Sequence, residues 1–167
     1  KYVNTTETPV FKKGSNLFGI YYAKNHCSEQ LILVEGNMDV ITLHQAGFEN
    51  TVATLGTAVT PDHINLLARY TKEIVLTLDS DEAGQKAVKK ANELLGNTGL
   101  SVRVVLLPEG KDPDEYIKKN GAEKFRALIS GAVSDIDYKL LTAASGLVLN
   151  SDDGRLTYLS AAAQVIA

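Results

Sequence analysis

The pattern of hydrophobic and polar positions changes near residue 30 of the chain. Residues 1–29 are polar and irregular, apart from apolar residues with helical spacing over 17–21. Beyond them, a continuous apolar run occurs at 31–34, and largely apolar runs, interrupted by Thr77 and Arg103, occur at 74–78 and 102–107. All three have the length expected of strands that are covered on both faces. A shorter strand is predicted at 51–54.

Helical patterns separate and follow these strands. They are predicted over 39–46 with Gly47 at the end, from Pro61 to about residue 70 with Thr60 as the cap, and over 81–95, 114–119 and 122–129. Strands and helices that alternate at this spacing predict an α/β fold, in which a mostly parallel sheet has helices on both faces.

The pattern is helical only from residue 131, which predicts the start of a small helical subdomain. We therefore expect three parts, at 1–29, 30–130 and 131–167. The sequence does not begin with methionine and stops within a predicted helix, so we expect a piece of a longer protein, monomeric as it stands.

Composition excludes several classes of protein. The 167 residues include 17 basic and 20 acidic ones, a net charge of −3, which is ordinary for a globular domain. No apolar stretch has the length of a membrane span. Cys27 is the single cysteine, which excludes an internal disulfide and a cysteine-based zinc cluster and fits a reducing, intracellular compartment.

Acidic residues follow all three apolar runs. Glu35 comes directly after the first run, Asp79 directly after the second, and Asp112 a short loop beyond the third. Further acids stand two to four residues on, at Asp39, Asp81 and Asp114. Because ligands of open α/β sheets bind outside the carboxyl ends of the strands, up to six carboxylates are expected at one edge.

So much like charge requires a cation, and all-oxygen ligands favour a hard one such as Mg²⁺. Two such ions would assist in-line attack at phosphorus. A plainer interpretation stays open for Asp81 and Asp114, which stand where each would interact favourably with the dipole of the helix that follows it.

Glycines and histidines complete the set of candidates. Gly36 and Gly56 are predicted to adopt a positive φ and to let the backbone approach a ligand, whereas Gly84 is predicted to contact the sheet closely. His44 and His63 fall within predicted helices, where we expect them to be packed or exposed rather than to bind metal.

Several strings of residues, in this order, resemble the bacterial replicative primases, which have the TOPRIM fold. They are V-E-G-N-M-D-V at 34–40, A-T-L-G-T-A at 53–58, L-D-S-D-E-A-G at 78–84 and L-P-E-G-K-D-P-D-E at 107–115. Upstream, K-Y-V-N-T-T-E-T at 1–8 and F-K-K-G at 11–14 match the same family. Residues 1–130 are covered strongly and the helical tail weakly. Asn37 replaces the usual aromatic residue, and threonines at 5 and 6 replace Ser-Pro.

The resemblance implies synthesis of short RNA primers from nucleoside triphosphates on single-stranded DNA, in the bacterial cytoplasm at the replication fork. Asp79, Asp81 and Asp112 would hold Mg²⁺, or Mn²⁺ as a substitute, with Asp114 and Asp39 as further ligands or close supports. Glu35 would be the general base or an additional ligand.

The resemblance also implies binding partners. Lys1 and Lys13 match positions that contact nucleic acid or the incoming nucleotide. The zinc module, the first part of the polymerase domain and the helicase-binding domain of a whole primase have no counterpart here. Contacts with the replicative helicase and the single-strand-binding protein would lie in such parts, and no zinc or membrane is expected.

Two other functions use the same fold. A TOPRIM hydrolase would cleave phosphodiesters with the same acids, but the upstream lysine strings favour a primase. A non-catalytic TOPRIM binding module commonly lacks the ligand acids, which are intact here. We expect the 167 residues alone to make few or no primers and to bind DNA weakly.

Overall fold

The computed structural model describes residues 5–77, 90–91, 93–95, 98–108 and 112–166. By compactness the chain divides into two units, Lys1–Ala132 and Val133–Ala167. The predicted part at 1–29 falls within the first unit.

The first unit is built on a parallel sheet. Its strands are β1 (Gln30–Val34), β2 (Thr51–Ala53), β3 (Glu73–Leu76) and β4 (Ser101–Val104). They lie in the order β2-β1-β3-β4, and each neighbouring pair is parallel. This confirms the predicted α/β architecture, with β1 in the interior of the sheet.

Two strands end earlier than their apolar runs. The runs at 74–78 and 102–107 predict longer strands than β3 and β4. The pairing nevertheless extends one residue past each strand, since the Thr77 N–H donates to Leu33 O and the Val105 N–H to Leu76 O. Val105 and Leu107 are still buried, but Leu106 between them is 48% exposed, so the prediction that the run at 102–107 is covered on both faces is wrong.

Helices precede, connect and follow these strands largely as the pattern predicts, but the helical spacing at 17–21 gives a helix only from Ile20, because Phe18 pairs with Ala53. They are α1 (Ile20–Ala23), α2 (Asn37–Gln45), α3 (Pro61–Leu67), α4 (Pro113–Asn120) and α5 (Ala122–Ser130), with a 3-10 turn at Lys13–Ser15. Residues 90–91 and 93–95, the described part of the predicted helix 81–95, are helical.

Local signals set the helix ends. The Thr60 hydroxyl accepts the His63 N–H and Pro61 is the first helical residue of α3, as predicted. Gly47 has a φ of +88° just after α2, the left-handed conformation in which many helices end.

The core is formed by β1 and β3 together with the helices that pack on them. Residues 31–34 are at most 1% exposed, as expected for a strand covered on both faces. On one side, the Phe125 ring meets the Phe48 ring edge to face with centroids 5.0 Å apart. Burying each large apolar side chain contributes about 1.5–3 kcal/mol relative to exposure, so this core holds the sheet rigid.

The second unit contains a short strand, β5 (Val133–Ser134), and two helices, α6 (Asp135–Ala144) and α7 (Asp152–Ile166). The prediction of helix only beyond residue 131 is therefore wrong at β5. Ser134 is the cap of α6. Its backbone is extended (ψ 161°), and its side chain accepts the Asp137 N–H. No helix in the described part of the chain is long and apolar enough to cross a membrane.

Cys27 provides a chemical probe of this core. Its thiol is fully buried and lies 3.8 Å from Tyr70 O. Burial raises the pKa of the thiol, because desolvation disfavours the thiolate.

We expect Cys27 in the folded protein to react with iodoacetamide, at mildly alkaline pH, at least about 100-fold more slowly than in concentrated urea. The thiolate is the reactive form, and reaction requires the core to open locally. Mass spectrometry against time measures both rates. Equal rates in buffer and in urea would contradict this burial.

Candidate active site

Glu35 leaves the sheet at the carboxyl end of β1. In the pairing of β1 with β3, Leu33 lies opposite Leu76, and the Thr77 N–H donates to Leu33 O over 3.0 Å. The strands run in the same direction, so Glu35 and Thr77 lie at the same edge of the sheet. Glu35 is exposed there.

Asp39 is buried behind this edge, with 6% of its surface exposed. Its Oδ2 accepts the N–H of Gly36 over 3.1 Å, and its Oδ1 accepts the N–H of Asp114 over 3.2 Å. One carboxylate therefore joins the turn after β1 to the first turn of α4, across 75 residues of sequence.

The two glycines predicted to have a positive φ differ. Gly56 has a φ of +72°, as expected, but Gly36 has a φ of −101°, so that prediction is wrong for Gly36. Glycine is required at residue 36 because the backbone there lies close to Asp39. A Cβ at this position would lie 2.6 Å from Asp39 Oδ2. The group it approaches is the buried carboxylate.

Asp112 and Asp114 both belong to the start of α4. Asp112 is its cap, with Oδ1 accepting the Glu115 N–H over 2.7 Å. Asp114 accepts the hydroxyl of Thr42 at Oδ1 and the ammonium of Lys118, 2.6 Å away, at Oδ2. Both hydrogen bonds lower the pKa of Asp114, and the bond from Lys118 has the larger effect.

The contacts of Asp114 favour a structural role, since protein donors already occupy both of its oxygens. The prediction that Asp112 and Asp114 bind metal is not tested by these contacts and stays a prediction. Thr42 was not among the predicted residues. Its position one helical turn beyond Asp39 is the signal that could have indicated it, because residues three apart share a helix face.

Asp79, Asp81, Gly84 and Lys1 lie outside the described residues. Among the residues that are described, no three His, Cys, Asp or Glu side chains are grouped so that they could hold a metal ion. The predicted metal ligands Asp79 and Asp81 stay a prediction.

The donors at the edge nevertheless suit a hard cation, because they are oxygens. The hydroxyl oxygen of Thr77, fully buried just after β3, has no hydrogen-bond partner within the described ranges. Glu35 and Asp112 supply carboxylates at the ends of two flanking elements. Carboxylate and hydroxyl oxygens are donors that suit Mg²⁺ or Mn²⁺ rather than a softer metal.

The two helical histidines are held by backbone groups, as the expectation of packed histidines requires. His44 Nε2 lies 2.8 Å from Thr51 O. His63 is fully buried, with Nε2 2.9 Å from Lys13 O and 3.1 Å from Asn16 O. His63 therefore contacts the turn that carries Lys13, a connection that sequence reasoning missed.

Comparison with known proteins agrees with this architecture. The sequence profile described as Toprim-like matches residues 32–117, just over half of the chain. The DNA primase of Clostridium acetobutylicum is 42% identical over 167 residues, which are 99% of this chain and 28% of that protein. The DNA primase of Aquifex aeolicus is 46% identical over 149 residues, 88% of this chain and 30% of that protein.

Solved structures give the same result. A DnaG primase catalytic domain bound to single-stranded DNA is 37% identical, with a TM-score of 0.83 over 99% of this chain and 54% of that one. The zinc-binding and RNA polymerase domains of the Aquifex aeolicus primase give 42% identity and a TM-score of 0.79, over 96% of this chain and 40% of that one.

The chain therefore belongs to the Toprim-like family, in the branch formed by the bacterial DNA primases. It spans about 28–30% of the length of the two primases named above. The Toprim domain of primases is in general a metal-binding domain.

The bridging role of Asp39 leads to a stability prediction. Asp39→Asn leaves one oxygen to accept the N–H groups of Gly36 and Asp114. The amide NH₂ of the asparagine then faces one of these two N–H groups, which it cannot accept. We expect the free energy of unfolding to fall by about 2 kcal/mol, the usual scale for hydrogen bonds to a charged group. Urea denaturation followed by circular dichroism measures the change.

Glu123→Gln is the matched control, because it neutralises an exposed helix acid. We expect that variant to lie within about 0.5 kcal/mol of the wild type. Equal stabilities of the Asp39→Asn and Glu123→Gln variants would show that the bridge contributes nothing.

Proposed function

We propose that this chain is the catalytic part of a DNA primase, which synthesises short RNA primers on single-stranded DNA. The observation that carries the proposal is the Asp39 carboxylate, which joins the turn after Glu35 to the start of α4, whose cap is Asp112, in a chain of the Toprim-like family. Asp79 and Asp81 follow β3, the neighbour of β1, in sequence. Carboxylates that came together there would hold the metal ions that nucleotidyl transfer uses.

The proposed ligands of a divalent metal are Glu35, Asp79, Asp81 and Asp112, with Asp114 as a further candidate. A bound Mg²⁺ or Mn²⁺ would neutralise the triphosphate and lower the pKa of the primer 3′-hydroxyl. Glu35 would act as general base toward that hydroxyl or as an added ligand. Asp39 supports the site from behind, because backbone N–H groups take both of its oxygens.

Basic residues upstream of the sheet would meet the substrates. Lys1 and Lys13 are proposed to contact the nucleotide or the DNA. The DnaG structure with bound single-stranded DNA supports a DNA template for this chain as well. Helicase and single-strand-binding protein are proposed as partners of other parts of the full-length protein, in the cytoplasm at the replication fork.

The proposed domain organisation follows from the same assignment. Residues 30–130 would be the Toprim domain and residues 1–29 the end of the preceding part of the polymerase domain. The unit from 131 onward would begin a helical subdomain. The activity of the whole enzyme would then require chain on both sides of the 167 residues.

The test of function is primer synthesis by the full-length protein. We expect it to incorporate ribonucleotides into short RNA on a single-stranded template in the presence of Mg²⁺. Glu35→Gln and Asp79→Asn should each reduce the rate by about 100-fold or more, because each removes a charge at the reacting phosphate. Gel analysis of labelled products measures both the rate and the primer length.

The surface variant Glu123→Gln serves as control and should keep the wild-type rate. Cleavage of labelled DNA without synthesis would replace the proposal by a phosphodiester hydrolase. DNA binding without either reaction would indicate a non-catalytic module.

Metal binding can be tested on the 167-residue chain itself. Crystals soaked in Mn²⁺ should show an anomalous difference peak beside Asp79, Asp81 and Asp112, within reach of Glu35. The Asp79→Ala chain should lose the peak, because a dense acidic site needs most of its ligands. A peak elsewhere, or an unchanged peak in the variant, would contradict the proposed ligand set.

A further inference from the structure

The start of α3 holds the 3-10 turn at Lys13–Ser15 through side chains. The Thr60 hydroxyl donates to Gly14 O, and His63 Nε2 lies 2.9 Å from Lys13 O and 3.1 Å from Asn16 O. The Ser15 hydroxyl donates to Asp62 Oδ2 over 2.8 Å. Residues 13–16 are thus each tied to one of three side chains that lie 46 to 50 positions further along the chain.

His63 stands at the centre of these contacts. Its Nδ1 lies 3.3 Å from the Thr60 nitrogen and accepts that N–H, which leaves Nε2 to donate to the two carbonyls. Both ring nitrogens are therefore committed to the backbone, and the ring is fully buried. This excludes the ring as a metal ligand or a general base while the turn is in place.

The held turn is anchored at the same sheet edge as Glu35. Two residues beyond Asn16, the Phe18 N–H donates to Ala53 O over 2.8 Å and the Ala53 N–H to Phe18 O over 3.1 Å. Ala53 ends β2 and lies opposite Val34, the residue before Glu35. The segment with Lys13 is therefore fixed to the strand next to β1, at its carboxyl end.

We propose that His63 is a positioning residue that holds the Lys13 turn where the lysine meets phosphate groups at the acidic edge. The phosphates belong either to the nucleoside triphosphate or to the nucleic-acid backbone, and Lys13 contacts them as a point charge. The inference rests on the function proposed above for Lys13. It adds that His63 acts through the turn and not through the substrate.

Two substitutions at residue 63 separate this role from simple packing. His63→Gln keeps a donor near the position of Nε2, whereas His63→Asn is too short to reach the carbonyls of Lys13 and Asn16. In the full-length protein, His63→Asn should raise by about tenfold either the KM for nucleoside triphosphates or the Kd for a single-stranded template. His63→Asn should raise the same constant, KM or Kd, that Lys13→Ala raises. It should change kcat less than threefold.

For His63→Gln, we expect the same constant, KM or Kd, to lie within about threefold of the wild-type value. The double variant Lys13→Ala with His63→Asn should be no weaker than Lys13→Ala alone, because the turn has nothing left to position. His44→Asn is the matched control, since it also removes a histidine contact to a backbone carbonyl but touches no part of the turn. It should leave both constants unchanged.

Other results would overturn the inference. If the effects of His63→Asn and Lys13→Ala multiply in the double variant, or if His63→Asn lowers only kcat, His63 acts independently of the turn. If His63→Asn fails to fold by circular dichroism, Ser15→Ala replaces it. That variant deletes an exposed contact of the same turn, and the same lack of additivity with Lys13→Ala is required.

Failure of the proposed function gives a different result. If the wild type makes no primers, titration of the same variants with MgATP and with single-stranded DNA still measures the coupling. A shared loss of affinity in Lys13→Ala and His63→Asn supports the positioning role without primase activity. Wild-type affinity in Lys13→Ala for both ligands would refute the inference.

Discussion

The parallel register of β1 with β3 is the constraint on which the candidate site depends. Because Leu33 lies opposite Leu76, Glu35 and Thr77 lie at one edge of the sheet. An acidic residue there cannot move away from its neighbours, because the strands that carry it are buried on both faces. The repulsion between these acids must therefore be offset locally and not by rearrangement of the sheet.

The described acids differ in how their charge is offset. Asp39 receives two backbone N–H groups, Asp114 a hydroxyl and an ammonium, and Asp112 the N–H of Glu115. The hydrogen bonds from Lys118 and Thr42 lower the pKa of Asp114, which favours its ionised form. The protein thus stabilises the charges of Asp39, Asp112 and Asp114 with its own donors.

Sequence patterns predicted what depends on local structure. The apolar runs indicated the strands, and Thr60 followed by Pro61 indicated the start of α3, since burial and capping act over a few residues. They did not predict the contact of Asp39 with Asp114 or of His63 with Lys13, which join positions 75 and 50 residues apart. Side-chain to backbone hydrogen bonds over such separations leave no periodic signal. Gly36 was misjudged for the same reason, because the carboxylate it accommodates comes from tertiary packing.

The two long-range contacts hold two turns by different chemistry. One turn carries an acidic residue and the other a basic one. Asp39 holds the turn that carries Glu35, and it adds negative charge there, which its two N–H donors offset. His63 holds the turn that carries Lys13 with one donor and one acceptor nitrogen, and it places no carboxylate against the lysine. An ionised carboxylate in that buried position could not donate to the carbonyls of Lys13 and Asn16. The choice of histidine at residue 63 therefore follows from the need for one donor and one acceptor nitrogen in the same buried side chain.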